Sequence, residues 1–367
     1  MDKIPQARPE MTDEMIAAAT HALQNERLVL GESVHKFEEE FARYNGVKHA
    51  ISVSSGTDAL QLTFIALGIE GKEVITTPLS FIATANAVLQ AGGVPRFADA
   101  SANDNNLDPE LTAKAVTKRT AAVMPVHLFG HPCRMDEFNE LAQEKGLKVV
   151  EDACQAHGSS YNGKKAGAIG NVACFSFYPT KNMTVGGDGG MVTTDDDDLA
   201  KLVAKLRDCG RTSRYVHDVV GYTSRLNSVN AAIGRVQLKH LDEYNEKRRA
   251  IAKRYDQLLK DIPELDLPPR GDKNVSPVYH QYAIRCQRRD DLEKALITNG
   301  VEVGVHYPVP IHLQPVYRGL YGFKGGEYAV SERLSLRLLS LPMFPSLKDD
   351  QVKRVAEEIG LFYHRRA

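Results

Sequence analysis

The segment Phe175-Ser176-Phe177-Tyr178-Pro179-Thr180-Lys181-Asn182, followed by Gly186-Gly187-Asp188-Gly189-Gly190, sets one lysine between an apolar strand and a glycine-rich turn. A lysine amine condenses with an aldehyde only when unprotonated, and a desolvated or cation-adjacent setting lowers its pKa to that end. An arbitrary lysine is a surface group, and glycines alone make only a tight turn, so Lys181 draws its meaning from its company. Val149-Val150-Glu151-Asp152 is an apolar strand that ends in carboxylates at the sheet edge where open α/β folds place ligands. Asp152 there either pairs with a protonated heterocycle nitrogen or caps the next helix as a structural group. Ser54-Ser55-Gly56-Thr57-Asp58-Ala59-Leu60 follows a strand and opens a helix, so its N–H groups and hydroxyls suit a phosphate, or serve as a simple N-cap. A phosphate-type helix start, an end-of-strand aspartate and a loop lysine in this order are the parts that a pyridoxal 5'-phosphate (PLP) site requires.

Such groups need a sheet to hold them. Between residues 47 and 194 short apolar runs alternate with helical patterns, which predicts a largely parallel sheet covered by helices. The expected strands are Val47-Val53, Glu73-Thr77, Ala121-His127, Leu147-Asp152, Val172-Ser176 and Gly190-Thr194, with helices over Asp58-Leu67, Phe81-Gln90 and Met135-Lys145. From about Val229 one long helix runs until Pro263 and Pro268-Pro269 stop it, and it links two domains. Beyond it, Tyr279-Arg285 reads as a strand, and Asp290-Asn299, Glu327-Leu339 and Lys348-Ile359 read as helices. The run Asp195-Asp198 precedes a helical pattern and is read as its cap rather than as a metal site.

Composition bounds the partners. With 46 Lys and Arg against 47 Asp and Glu, no excess of positive charge is left to neutralise a nucleic-acid backbone. No apolar run has spanning length, and the start Met1-Asp2-Lys3-Ile4-Pro5-Gln6 lacks the apolar stretch of a signal peptide, so no membrane association and a cytoplasmic location are expected. Five cysteines without a C-x-x-C pair argue against a disulfide framework or a structural zinc site, and no metal is expected. The basic end His364-Arg365-Arg366 reads as a solvated helix end.

The chain resembles the DegT/DnrJ/EryC1/StrS family of PLP-dependent sugar aminotransferases, from about Glu26 to Ile359. The resemblance is carried by Ser55-Gly56-Thr57-Asp58-Ala59-Leu60, Glu151-Asp152-Ala153 with Gln155-Ala156-His157-Gly158, Ser176-Phe177-Tyr178-Pro179-Thr180-Lys181-Asn182, Tyr307-Pro308-Val309-Pro310-Ile311-His312-Leu313-Gln314 and Ser340-Leu341-Pro342-Met343. It implies the α/β transferase fold type I, with a large PLP-binding domain over 1–245, including an N-terminal arm, and a smaller α+β domain over 246–367. It makes Lys181 the Schiff-base and proton-shuttling lysine and Asp152 the partner of the pyridine nitrogen. It sets Gly56, Thr57 and Ser176 around the cofactor phosphate, Gln155 near the phenolic oxygen and Phe81 over the ring. His306, Tyr307 and His312 become candidates for sugar contacts, although a histidine near a strand end is more often a satisfied structural group.

The chain departs from the family pattern at Thr223, where many relatives carry an asparagine that reaches the neighbouring subunit's phosphate and where the threonine would bind the cofactor through one hydroxyl instead, and at Met183-Thr184-Val185. Neither change removes a catalytic group. The reaction implied is transamination from an amino acid, L-glutamate, through pyridoxamine phosphate to a nucleotide-linked keto sugar, in a homodimer with shared sites. Retention of Lys181 favours transfer over sugar dehydration. Elimination on an amino acid, or a regulatory protein that keeps the fold without turnover, are the alternatives.

Overall fold

The computed structural model describes residues 3–364, so Met1, Asp2 and the Arg365-Arg366 of the basic end, with the His364 side chain, lie outside the described residues. Two helices, α1 (Asp13–Asn25) and α2 (Glu32–Asn45), precede the first strand of the central sheet. The sheet strands are β1 (His49–Val53), β2 (Glu73–Thr76), β3 (Val94–Phe97), β4 (Thr120–Met124), β5 (Lys148–Asp152), β6 (Val172–Ser176) and β7 (Gly190–Thr194). Between them run α3 (Gly56–Ala66), α4 (Ala83–Gln90) and α5 (Met135–Lys145), and α6 (Asp197–Leu206) follows β7.

The strand order is β1-β7-β6-β5-β4-β2-β3, with β7 antiparallel to both of its neighbours and the others all running one way. Most residues of these strands are buried, because helices cover both faces and leave little solvent side for polar alternation. The carboxyl ends of β1, β5 and β6 consequently share one edge, from which the loops holding Gly56, Gln155 and Lys181 depart.

The long helix α7 (Ser228–Leu259) is capped by Asn227, whose side chain accepts from the Asn230 N–H. Its first half packs Ala231, Leu238 and Leu241 with Phe37, Phe41 and Phe175, while its second half gives Ile251, Tyr255 and Leu259 to a separate core. That second core lies against a three-stranded antiparallel sheet of β8 (Leu265–Asp266), β9 (Tyr282–Cys286) and β10 (Leu338–Leu341). The helices α8 (Arg289–Thr298) and α10 (Asp349–His364) cover it, and α9 (Ala329–Arg337) leads into β10. Ile4 is buried in this second core, and its amide donates to the Gly300 carbonyl at 2.9 Å.

Several elements differ from expectation for local reasons. The predicted helix through Leu339 ends at Arg337, and Leu338–Leu341 is a strand because that apolar run pairs with β9, Leu338 opposite Arg285 and Leu341 opposite Tyr282. Helix α4 begins at Ala83 rather than Phe81, which leaves Phe81 in the preceding turn with its ring half exposed. Strand β9 begins at Tyr282, after Tyr279 takes a positive φ of 45°, so His280 and Gln281 stay in a bend instead of a ladder. Asp196 caps α6 by accepting from the Asp198 and Leu199 amides, the role expected of the aspartate run.

Candidate active site

The loops at the shared sheet edge and the bend before β9 enclose a cavity of about 460 Å³. Nine of the residues singled out in the sequence line it: Gly56, Thr57, Phe81, Asp152, Gln155, Ser176, Lys181, His306 and Tyr307. At one end lies the start of α3. Ser55 caps the helix by accepting from the Asp58 amide at 3.0 Å, and the Asp58 carboxylate in turn accepts from the Ser54 and Ser55 hydroxyls. This leaves Gly56 and Thr57 as first-turn amides with no acceptor in their own helix, facing the cavity at its positive pole. Glycine is required at 56: a Cβ there would stand 2.6 Å from the Ser176 Cβ and 3.0 Å from the Cys154 Sγ. The close approach brings Ser176 beside Gly56 on the cavity wall, and its hydroxyl with the first-turn amides makes a donor set that suits a phosphate.

Asp152 closes β5 and is 4% exposed. The Thr84 hydroxyl donates to its Oδ2 at 2.8 Å and the Cys154 amide to its Oδ1 at 3.2 Å, while Ser80 and Thr84 share a further bond of 2.8 Å. No Lys, Arg or His among the described residues forms an ion pair with it. A buried carboxylate held by two neutral donors and open to the cavity suits a cationic heterocycle nitrogen, since burial of a charge is costly without a partner.

Lys181 stands on the loop after β6. The loop is pinned by the Phe177 amide to the Gly189 carbonyl at 2.8 Å and by Asn182, whose Nδ2 donates to Asn245 Oδ1 and the Val278 carbonyl, each at 2.9 Å. The Lys181 amine itself has no hydrogen bond or ion pair within the described residues. Burial holds its pKa below the ordinary lysine value, partly opposed by Cys154 and Asp152. Both features favour a neutral amine ready to attack an aldehyde.

Gln155 is oriented from both sides. Its Oε1 accepts from the Phe129 amide at 2.7 Å, and its Nε2 donates to the Tyr307 hydroxyl at 3.1 Å, which leaves one N–H for a phenolic oxygen. The Phe81 and Tyr307 rings lie 5.9 Å apart, and the exposed Phe81 face is available for stacking. The His306 Nδ1 is 2.9 Å from the Ser340 hydroxyl, and burial with the nearby Lys181 charge brings its pKa down to about 4.

Two expected site residues lie off this cavity. His312 is fully buried behind it, with Nε2 3.0 Å from Glu332 Oε1 and its ring 4.8 Å from that of Tyr328. The turn through Pro308 and Pro310 separates it from Tyr307. Thr223 is exposed, its hydroxyl 3.4 Å from the Cys209 Sγ. Thr84, His280 and Gln281 line the cavity without having been singled out. The Thr84 amide donates to the Phe81 carbonyl at 3.1 Å, so the turn that places Phe81 also places Thr84.

His157 is packed between the Phe175 and Phe177 rings at 5.3 and 5.6 Å, and burial followed by the Lys181 charge lowers its pKa to about 3. In the unfolded chain an imidazole takes up its proton near pH 6.5. Between about pH 4 and 6.5 the unfolded chain therefore binds more protons than the folded one at His157 and His306, and stability falls as pH drops through that window. Each group contributes up to about 1.4 kcal/mol per pH unit, so unfolding midpoints at pH 5 should lie clearly below those at pH 7. His157→Leu should flatten the difference, and equal midpoints at the two pH values would contradict the assignment.

This fold, with Lys181, Asp152 and the start of α3 on one cavity, is that of a PLP-dependent transferase of fold type I. The chain belongs to the DegT/DnrJ/EryC1/StrS aminotransferase family, which it matches over residues 9–360. It is 42% identical over 354 residues to the dTDP-3-amino-3,4,6-trideoxy-alpha-D-glucose transaminase of Streptomyces venezuelae, covering 96% of this chain and 93% of that one. It is 41% identical over 356 residues to a protein of Geobacillus stearothermophilus named as a pleiotropic regulatory protein, covering 96% and 95% of the two chains. The crystal structure of S. venezuelae DesV in complex with a ketimine intermediate superposes with a TM-score of 0.96 at 40% identity, covering 100% of both chains. The protein is thus an aminotransferase whose cofactor is PLP. No described helix is long and apolar enough to cross a membrane.

Proposed function

We propose that this aminotransferase moves an amino group from L-glutamate to the carbonyl carbon of a nucleotide-linked keto sugar. The observation that carries the reading is the unheld Lys181 amine sharing one cavity with the Asp152 carboxylate and the amides of Gly56 and Thr57. The likeness to the dTDP-sugar transaminase supports the acceptor class. When bound, PLP supplies the electron sink through which the nitrogen leaves the donor and reaches the acceptor. Gly56, Thr57 and Ser176 would hold its phosphate, Asp152 its ring nitrogen, Gln155 Nε2 its phenolic oxygen and Phe81 one ring face. Lys181 Nζ anchors the cofactor at rest, then takes the proton from the donor's α-carbon and returns one to the product. Tyr307 and His306 border the space left for the sugar.

The exposed Tyr215 and Val216 of the hairpin that pairs Arg211–Ser213 with Val216–His217, and the exposed Val220 after it, support a homodimer in which the adjoining Gly221-Leu226 loop, with Thr223, meets the partner's site. The five free thiols suit the cytoplasm as its compartment. A panel of dTDP- and UDP-linked keto sugars, assayed with PLP and L-glutamate for 2-oxoglutarate and amino-sugar release, tests the reading. Stoichiometric formation of both products from one sugar is expected. Release of 2-oxoglutarate with no member of the panel aminated would sink the acceptor assignment, and a fully active monomer in sedimentation would sink the shared site.

A further inference from the structure

The cavity that Lys181 lines also contains a carboxamide whose orientation is set from the amino-terminal arm. Gln281, in the bend before β9, is 6% exposed and lines the cavity. Its Oε1 accepts a hydrogen bond of 2.5 Å from Gln6 Nε2, across 275 positions of sequence. Its own Nε2 lies 3.5 Å from His280 Nε2, and His280 is kept neutral by burial and then by the Lys181 charge. Gln6 takes one lone pair of the Gln281 oxygen and His280 faces one N–H of its Nε2, which leaves the second N–H and the far side of the oxygen open to another partner.

The arm is fixed independently of the Gln6 side chain. Ile4 is buried in the second core, which anchors the arm. The Glu302 amide donates to the Ile4 carbonyl at 2.9 Å and the Met343 amide to the Gln6 carbonyl at 3.1 Å. Further along, Gln237 Nε2 donates to the Glu10 carbonyl at 2.6 Å and the Ser346 amide to the Glu10 carboxylate at 3.0 Å. Main-chain bonds on both sides thus hold the half-buried Gln6 side chain against Gln281.

We infer that Gln281 is a specificity-determining residue that donates a hydrogen bond from Nε2 to an oxygen of the sugar acceptor, and that Gln6 is a positioning residue which keeps that amide turned donor-inward. A neutral donor suits a hydroxyl or carbonyl oxygen, and Lys181 is the one lysine or arginine that lines the cavity among the described residues. The inference rests on the keto-sugar reading of the preceding subsection.

The test uses the full PLP-loaded chain and whichever keto sugar of the panel gives turnover. Gln281→Leu and Gln6→Leu should each raise the sugar KM about five- to tenfold, the scale of one neutral hydrogen bond, with kcat much less affected. The KM for L-glutamate should move by less than half as much. The double variant should be no worse than Gln281→Leu alone, because the two residues act through one contact. Thermal midpoints near that of wild type would show that the arm remains seated. A sugar KM within twofold of wild type in Gln281→Leu overturns the contact, and additive losses in the double variant overturn the positioning role of Gln6. A wild type that aminates no keto sugar while still converting glutamate instead removes the acceptor reading itself, which separates the two failures.

Discussion

Replacing Lys181 by alanine is expected to lower turnover at least about 10³-fold while leaving the fold intact. The side chain has no hydrogen bond or ion pair to lose within the described residues, and its burial disfavours the charged form. The variant should therefore unfold at a midpoint equal to or above that of the wild-type apoprotein. Borohydride treatment of the PLP-loaded wild type should place the added mass on the tryptic peptide that contains Lys181, and on none in the variant. Lys181→Arg should not rescue turnover, because a guanidinium remains protonated and cannot serve as nucleophile or base. Turnover within tenfold of wild type, or mass on another lysine, would show that the anchor lies elsewhere.

Why Lys181, Asp152 and Gly56 were legible in the sequence is a matter of where they stand on their strands. Each follows the carboxyl end of an apolar run, and the parallel arrangement of β1, β5 and β6 brings those ends to one edge. Local pattern therefore carried three-dimensional information. Gln281 and His280 had no such signal, since their place depends on the positive φ at Tyr279 and on the closure of the second core against the first. Gln6 was read only as part of a polar start, and its partner lies 275 positions away. His312 stands apart from the cavity that Tyr307 lines, because a proline-bounded turn lies between the two.

The same division holds for the elements. Strands β6 and β7 and helix α5 match their expected bounds residue for residue, because turn residues and apolar periodicity coincide there. Strand β3, Val-Pro-Arg-Phe, was not foreseen: proline weakens a strand pattern, yet it is tolerated at the sheet edge where β3 lies. Helices α1 and α2 lie before the first predicted strand and are held by tertiary packing, α2 through Phe37 and Phe41 against Phe175 and Phe177. Their amphipathic faces make sense only once α7 is there to receive them.

Asp152→Asn should separate stability from activity. In the apoprotein the carboxylate is 4% exposed, accepts from Thr84 and Cys154, and lacks a cationic partner among the described residues, so its charge is an expense of folding. Asparagine keeps the shape and one acceptor oxygen while removing that charge, and the apoprotein should unfold at an equal or higher midpoint. The loaded enzyme should respond in the opposite sense. A neutral amide cannot hold the ring nitrogen protonated, so the electron demand on which the donor's Cα–H cleavage depends is lost, and turnover should fall by about two to three orders of magnitude. Added PLP should also raise the midpoint less in the variant, since stabilisation by a ligand grows with its affinity for the folded state. Melts with and without PLP, run beside kcat, read both effects. A variant that loses apoprotein stability would mean that the Asp152 charge serves the fold through groups already in place, and one that keeps turnover within a few-fold would mean that the ring nitrogen finds its partner elsewhere.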